Sequence, residues 1–274
     1  MRKDTYTMSP DEFLRQTRLP TRIMETEASM YEEISQLMFD AIAEKQGQRC
    51  VIICPVGPIA QYPLFVKKVN ENNLSLKNVW FFNMDEYLND DDTMIDPASP
   101  LSFKGFMERT VYTQIKPELV MPPEQRLFPT PGHEAEMDAL LEKLGYADIS
   151  LTGVGINGHL AFNEPPAPED AITDEEYYNL PTRTLPLSKE TIVNNGGRKI
   201  RGALDIFPRR CISIGMKQLF KTRRLKVYLY CDWQWGVMRK LSLEEPSRFC
   251  PASFLQRHPD SEMVITRDLA EFML

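Results

Sequence analysis

Short apolar runs, each stopped by a polar loop, constrain this chain most. Val51-Ile52-Ile53-Cys54 ends in Pro55-Val56-Gly57-Pro58, and Val79-Trp80-Phe81-Phe82 ends in Asn83-Met84-Asp85-Glu86-Tyr87. Ile149-Ser150-Leu151-Thr152-Gly153 runs into a glycine loop. The first of these, fully apolar, reads as a strand buried on both faces, and the other two are strand-like. Helical segments separate them. Met30, Ile34, Leu37, Met38 and Ala41 recur at helical spacing within Glu25 to Lys45, with Gly47 placed for a left-handed cap. Ser9-Pro10-Asp11-Glu12 reads as a helix start, with Ser9 as N-cap and Glu12 completing a capping box. Tyr62 to Val69, Lys104 to Ile115 and Glu134 to Leu144 are helix-like, and further strands are predicted at Cys211 to Ile214, Leu225 to Tyr230 and Met263 to Thr266. Such alternation implies an α/β fold, one domain over residues 1–274 on a doubly wound, mostly parallel sheet with helices on both faces.

Composition narrows the classes of function. Of 274 residues, 42% are hydrophobic, which argues for a packed core and against disorder. Lys+Arg number 32 and Asp+Glu 39, a net charge of −7, so the chain carries no basic footprint for nucleic acid or an anionic membrane. The start Met1-Arg2-Lys3-Asp4-Thr5-Tyr6 has no apolar h-region and no stretch approaches eighteen apolar residues, so neither export nor a membrane span is expected. Cys50, Cys54, Cys211, Cys231 and Cys250 are scattered and mostly beside apolar runs, as core thiols of a cytoplasmic protein are. With three histidines and no ligand spacing, no metal site is expected.

Ligands of open parallel sheets bind outside the C-terminal strand ends. One such end delivers Asp85 and Glu86; another delivers Gly153-Val154-Gly155-Ile156-Asn157-Gly158-His159-Leu160-Ala161-Phe162-Asn163-Glu164-Pro165. A carboxylate together with a His–Glu pair suits proton transfer beside a carbonyl. The bland alternatives are that Asp85 and Glu86 cap a following helix and that His159 is a hydrogen-bonded structural histidine. Gly153-x-Gly155-x-x-Gly158 matches the dinucleotide fingerprint in form, but Pro165 arrives too soon for the crossover helix that the fingerprint needs. Two connections break the rhythm. The acidic stretch Asn89 to Asp96 reads as a solvated loop, and Pro165 to Pro186 as part of a mobile lid, about 165–200, over the strand ends.

Taken together, Phe82-Asn83-Met84-Asp85-Glu86-Tyr87 and Gly153 through Pro165 resemble the glucosamine-6-phosphate deaminase (isomerase) family. Pro100-Leu101-Ser102 before Phe106-Met107, Pro208 through Gly215, and Pro251 through Pro259 agree, so the resemblance spans about Glu25 to Asp268. Within that superfamily the 6-phosphogluconolactonases share the glycine–histidine loop but lack the other two signatures. The resemblance implies that Asp85 moves a proton between C2 and C1 of the opened sugar, that His159 assists ring opening, and that Glu164 and Asn157 act with it. It implies a sugar or sugar-phosphate substrate and no cofactor, with contacts from Gly57, Glu86, Gly155 and Gly158 and from Arg198 and Arg201 in the lid. Oligomeric state is left open.

The departures are as informative. Asn157 stands where the family has Asp. The family's hydroxyl-rich phosphate loop reads Val56-Gly57-Pro58-Ile59, and Gln234 stands near its phosphate-binding Lys. The expectation is an amino-sugar isomerase, with or without ammonia release, whose substrate is altered at the phosphate. The alternatives are a catalytically weakened sugar-binding sensor and a 6-phosphogluconolactonase-like hydrolase.

Overall fold

The computed structural model describes residues 4–273; the polar start Met1-Arg2-Lys3 lies outside them. The strands are β1 Thr21–Met24, β2 Cys50–Cys54, β3 Val79–Asn83, β4 Asp85–Leu88, β5 Arg126–Leu127, β6 Ile149–Thr152, β7 Arg183–Pro186, β8 Arg210–Ser213, β9 Leu225–Leu229 and β10 Ser261–Thr266. Seven form one sheet in the order β1-β10-β9-β6-β2-β3-β5, parallel throughout. The chain winds outward from β2 through β3 to β5, then crosses to the other side of β2 at β6 and continues to β9 and β10. The switch point therefore lies between β2 and β6, where ligand crevices form in such sheets.

Both faces of this sheet are buried, as the unbroken apolar runs require. Along β2, Cys50, Ile52 and Cys54 join the core on one face while Val51 and Ile53 join the core on the other. The helices Glu27–Ala43 and Gln61–Asn72 cover the first face. Glu134–Leu144 and Trp235–Leu243 cover the second. Ser9 caps Pro10–Gln16 by accepting from the Glu12 amide, and Gly47 has the left-handed φ of 82°. Among the described residues no helix is long and apolar enough to cross a membrane.

Two expectations are corrected. The segment after β3 is not a loop but β4, and the predicted strand at Cys211 to Ile214 pairs with it, antiparallel, in a separate sheet of order β4-β8-β7. Met84 makes the junction: its amide donates to Cys54 in the large sheet, and its carbonyl accepts from Ile214 in the small one. The covering segment is also narrower than predicted. Residues 165–186 do not line the main cavity; Asn195, Arg198 and Lys199 of the helix Lys189–Ile200 do. Tyr177 explains why: it is buried with its hydroxyl on the Asn163 and Glu164 carbonyls, and Tyr178 packs on Phe220 and Phe254. Two aromatic anchors without periodicity carry no signal in a sequence pattern.

Asp148 ties β2 to β6 from below the site. Its carboxylate accepts from the Val51 amide at 2.8 Å and pairs with Lys45 at 2.5 Å. Asp148→Ala leaves a buried amide unpaired, so we expect a loss of about 1–3 kcal/mol, read as a lower urea midpoint at unchanged slope.

Candidate active site

The loops after β2, β3, β6 and β9 and the helix Lys189–Ile200 enclose a cavity of ≈ 350 Å³, within the range of small-molecule sites. Tyr62, fully buried, donates its hydroxyl to the Pro55 carbonyl and fixes the loop that bears Gly57 at the cavity wall.

Asp85 and Glu86 part company because β4 is a strand. Successive side chains alternate across it, so Asp85 and Tyr87 face the cavity and Glu86 faces away. Glu86 is fully buried and accepts four hydrogen bonds, from Ser102 Oγ and from the amides of Tyr87, Phe103 and Lys104, at 2.8–3.0 Å. It caps the helix Phe103–Met107 rather than binding substrate, which corrects its predicted role; burial nevertheless raises its pKa. Asp85 receives no such donors. Burial first, then the charge of Glu86, push its pKa up to about 7 against the opposing pull of Lys199 and His159. That is where a carboxylate serves as a base near neutrality.

His159 reaches the same cavity. Its Nδ1 lies 2.9 Å from Asn157 Oδ1, 3.3 Å from Thr191 Oγ1 and 3.3 Å from Glu164 Oε2. Acceptors around Nδ1 assign that nitrogen its proton. The ring lies so close over Gly155 that an added Cβ would fall 2.0 Å from Nε2. Gly155 is thus required for the ring's position. Gly158, with φ of 92°, turns the loop against Cys250 and does not line the cavity.

Asn157 does not line the cavity either; it organises the histidine. While Oδ1 faces the imidazole, Nδ2 donates to Glu164 Oε2 at 2.5 Å and to Ser188 Oγ at 3.1 Å. An aspartate could not make the donation to Glu164. The amide leaves Glu164 as the sole carboxylate in hydrogen-bonding contact with the imidazole. Burial would raise Glu164, but the charge of His159 and hydrogen bonds from His159, Asn157 and Thr191 outweigh it and hold the carboxyl at about 2.

At the distal end the walls are Val56, Ile59, Tyr230 and Trp233. Gln234 is consumed structurally: Oε1 accepts from the Tyr230 and Cys231 amides and Nε2 donates to the Val154 carbonyl, clamping β9 to β6. Arg198 stays in the cavity, its guanidinium 5.3 Å from the Trp233 ring centre and its Nη2 3.1 Å from Cys231 Sγ. Arg201, predicted beside it, is the exposed left-handed cap of the helix and lies outside. Lys199, their neighbour in the sequence, does line the cavity. Among the described residues no cluster of His, Cys, Asp or Glu could hold a metal ion.

No family model matches this chain. It is 28% identical over 252 residues to the glucosamine-6-phosphate deaminase of Geobacillus sp. (strain WCH70), covering 88% of this chain and 92% of that protein. It is 29% identical over 229 residues to glucosamine-6-phosphate deaminase 2 of Giardia intestinalis, covering 81% of each. Over most of its length the chain is similar to glucosamine-6-phosphate deaminases. The solved structure of a monomeric glucosamine-6-phosphate deaminase superposes with a TM-score of 0.78 at 23% identity, over 92% of this chain and 99% of that one. A putative 6-phosphogluconolactonase from Neisseria gonorrhoeae FA 1090 shares the fold at a TM-score of 0.59 and 16% identity, over 91% of this chain and all of that one.

The close fit of ring on glycine generates a direct test. Gly155→Ala should displace His159 and lower kcat by about 10²-fold, the scale for a catalytic group moved by about 1 Å, with the melting temperature nearly unchanged.

Proposed function

We propose that this protein is an isomerase of the glucosamine-6-phosphate deaminase type. His159 opens the sugar ring and Asp85 carries a proton between C2 and C1; where C2 bears an amine, this leaves an imine at C2, to which water adds before the C–N bond breaks and ammonia leaves. The observation that carries this reading is the shared cavity: a carboxylate raised to about 7 faces the same space as a histidine anchored through Nδ1. Ring opening needs a proton shuttled on the ring oxygen, and aldose–ketose exchange needs a base at C2. The raised aspartate favours an enzyme over a sensor, since a binder gains nothing by burying an acceptor without donors. We further infer that the substrate is a sugar phosphate, that the chain acts as one domain, and that it works in the cytoplasm.

Asp85→Asn should cut turnover by about 10²–10⁴-fold in coupled ammonia and ketose assays. Wild-type activity should fall as pH drops through about 7, where Asp85 protonates. Because the folded state raises this group from 3.8 to about 7, ionisation opposes folding. The cost is absent below the lower value, grows between the two and is complete above the upper one. Asp85→Asn should therefore stabilise the fold at about pH 8, on the order of a few kcal/mol, and leave it unchanged at about pH 3.5. Full activity in Asp85→Asn would end this reading.

The phosphate rests on one cavity cation at the distal end. Arg198→Ala should raise KM for a phosphorylated sugar by about 10–100-fold, the scale of one charge-assisted hydrogen bond, with kcat within a few-fold. Arg201→Ala should change neither constant. An equal effect of both would place the anion elsewhere.

A further inference from the structure

Proton transfer by Asp85 and His159 and the anion contact at Arg198 leave the ammonium of Lys199 unused in the cavity. Its Nζ lies 4.3 Å from the ring centre of Phe103 and 5.5 Å from that of Tyr87. Tyr87 stands two residues after Asp85 on the same face of β4, so the rings that hold the ammonium also flank the base. Lys199, Asp85, His159, Tyr87 and Phe103 all line one space. The charged groups around Nζ are Asp85 and Glu86, which attract it, and Arg198, which repels it. Glu86 is turned out of the cavity and saturated by four donors, so Asp85 is the attracting carboxylate that shares the cavity with Lys199. The residue keeps solvent access through the cavity mouth, yet the crowded surroundings lower its pKa to about 8, against the pull of Asp85 and Glu86. At neutral pH it remains mostly charged.

A base that takes the proton from C2 must approach that carbon, and the substituent on C2 then lies beside Asp85 and within the field of Lys199. A second ammonium placed there gains from Asp85 and loses to Lys199; an uncharged group bears neither. We propose that Lys199 makes this site read charge at carbon 2, admitting a sugar with a hydroxyl or a free-base amine there and rejecting an ammonium. This inference rests on the proton-transfer reading above and names which form of the sugar it accepts.

Open-chain alditol 6-phosphates cannot turn over, so calorimetric titration of two of them isolates binding. One carries a hydroxyl at C2 and the other an amine. At about pH 7 the wild-type protein should bind the hydroxyl compound about tenfold more tightly, and at about pH 9.5, where both amines are largely free bases, the ratio should approach one. Lys199→Met should abolish the preference at neutral pH or reverse it toward the amine, which Asp85 then attracts unopposed, and Lys199→Arg, which restores the charge, should retain it. Equal wild-type affinities at neutral pH, or a tenfold preference surviving in Lys199→Met, would overturn the proposal and leave the role of Asp85 intact. Binding of neither alditol would overturn it as well. Failure of the proton-transfer reading shows separately, as undiminished turnover by Asp85→Asn.

Discussion

Four hydrogen bonds to one buried carboxylate set the orientation of the site. Glu86 is satisfied only with its side chain against the start of the helix Phe103–Met107, where three amides and the Ser102 hydroxyl converge on it. A strand has two faces, so this choice turns Asp85 and Tyr87 inward. A one-residue slip of β4 would put Glu86 in the cavity and leave those donors unpaired, at a cost of several buried polar groups. The antiparallel pairing of Asp85 with Ser213 adds a second hold, because Ser213 Oγ accepts from the Phe162 amide in the histidine loop. Base and histidine are thereby referred to the same framework.

Two carboxylates at the site are driven in opposite directions. Asp85, buried beside Glu86 with no donor, rises; Glu164, buried beside His159 with donors from Asn157 and Thr191, falls. Divergence of this kind separates the group that exchanges protons from the group that holds charge. Asn157 takes part in the division by accepting from the imidazole and donating to Glu164. The distal wall follows a different logic: Gln234 uses its amide to lock two loops, Val56, Ile59 and Trp233 present apolar surface, and the cation there, Arg198, comes from the helix Lys189–Ile200.

Much of this was legible before any coordinates. Short strand-like runs located β2, β3, β6, β9 and β10 within a residue or two, most plainly β2, where a strand buried on both faces is apolar at every position. The paired signatures around Asp85 and His159 pointed to two strand ends that line one cavity, since each lies at the end of such a strand. The capping alternative for adjacent acids also proved right for one of them, Glu86, and not for the other.

What sequence alone determined, then, is the order of local elements and which strand ends carry chemistry, because periodicity and short motifs encode both. Tertiary structure decided the rest. Strand Cys211 to Ile214 could join either sheet until Met84 offered it a partner. Of Arg198, Lys199 and Arg201, neighbours on one helix end, two face the cavity and one leaves it, because the chain turns left-handed at Arg201. Charge patterns in a sequence do not record direction. Directions come from the backbone path and from which buried polar groups must be satisfied, and both depend on residues distant in the chain.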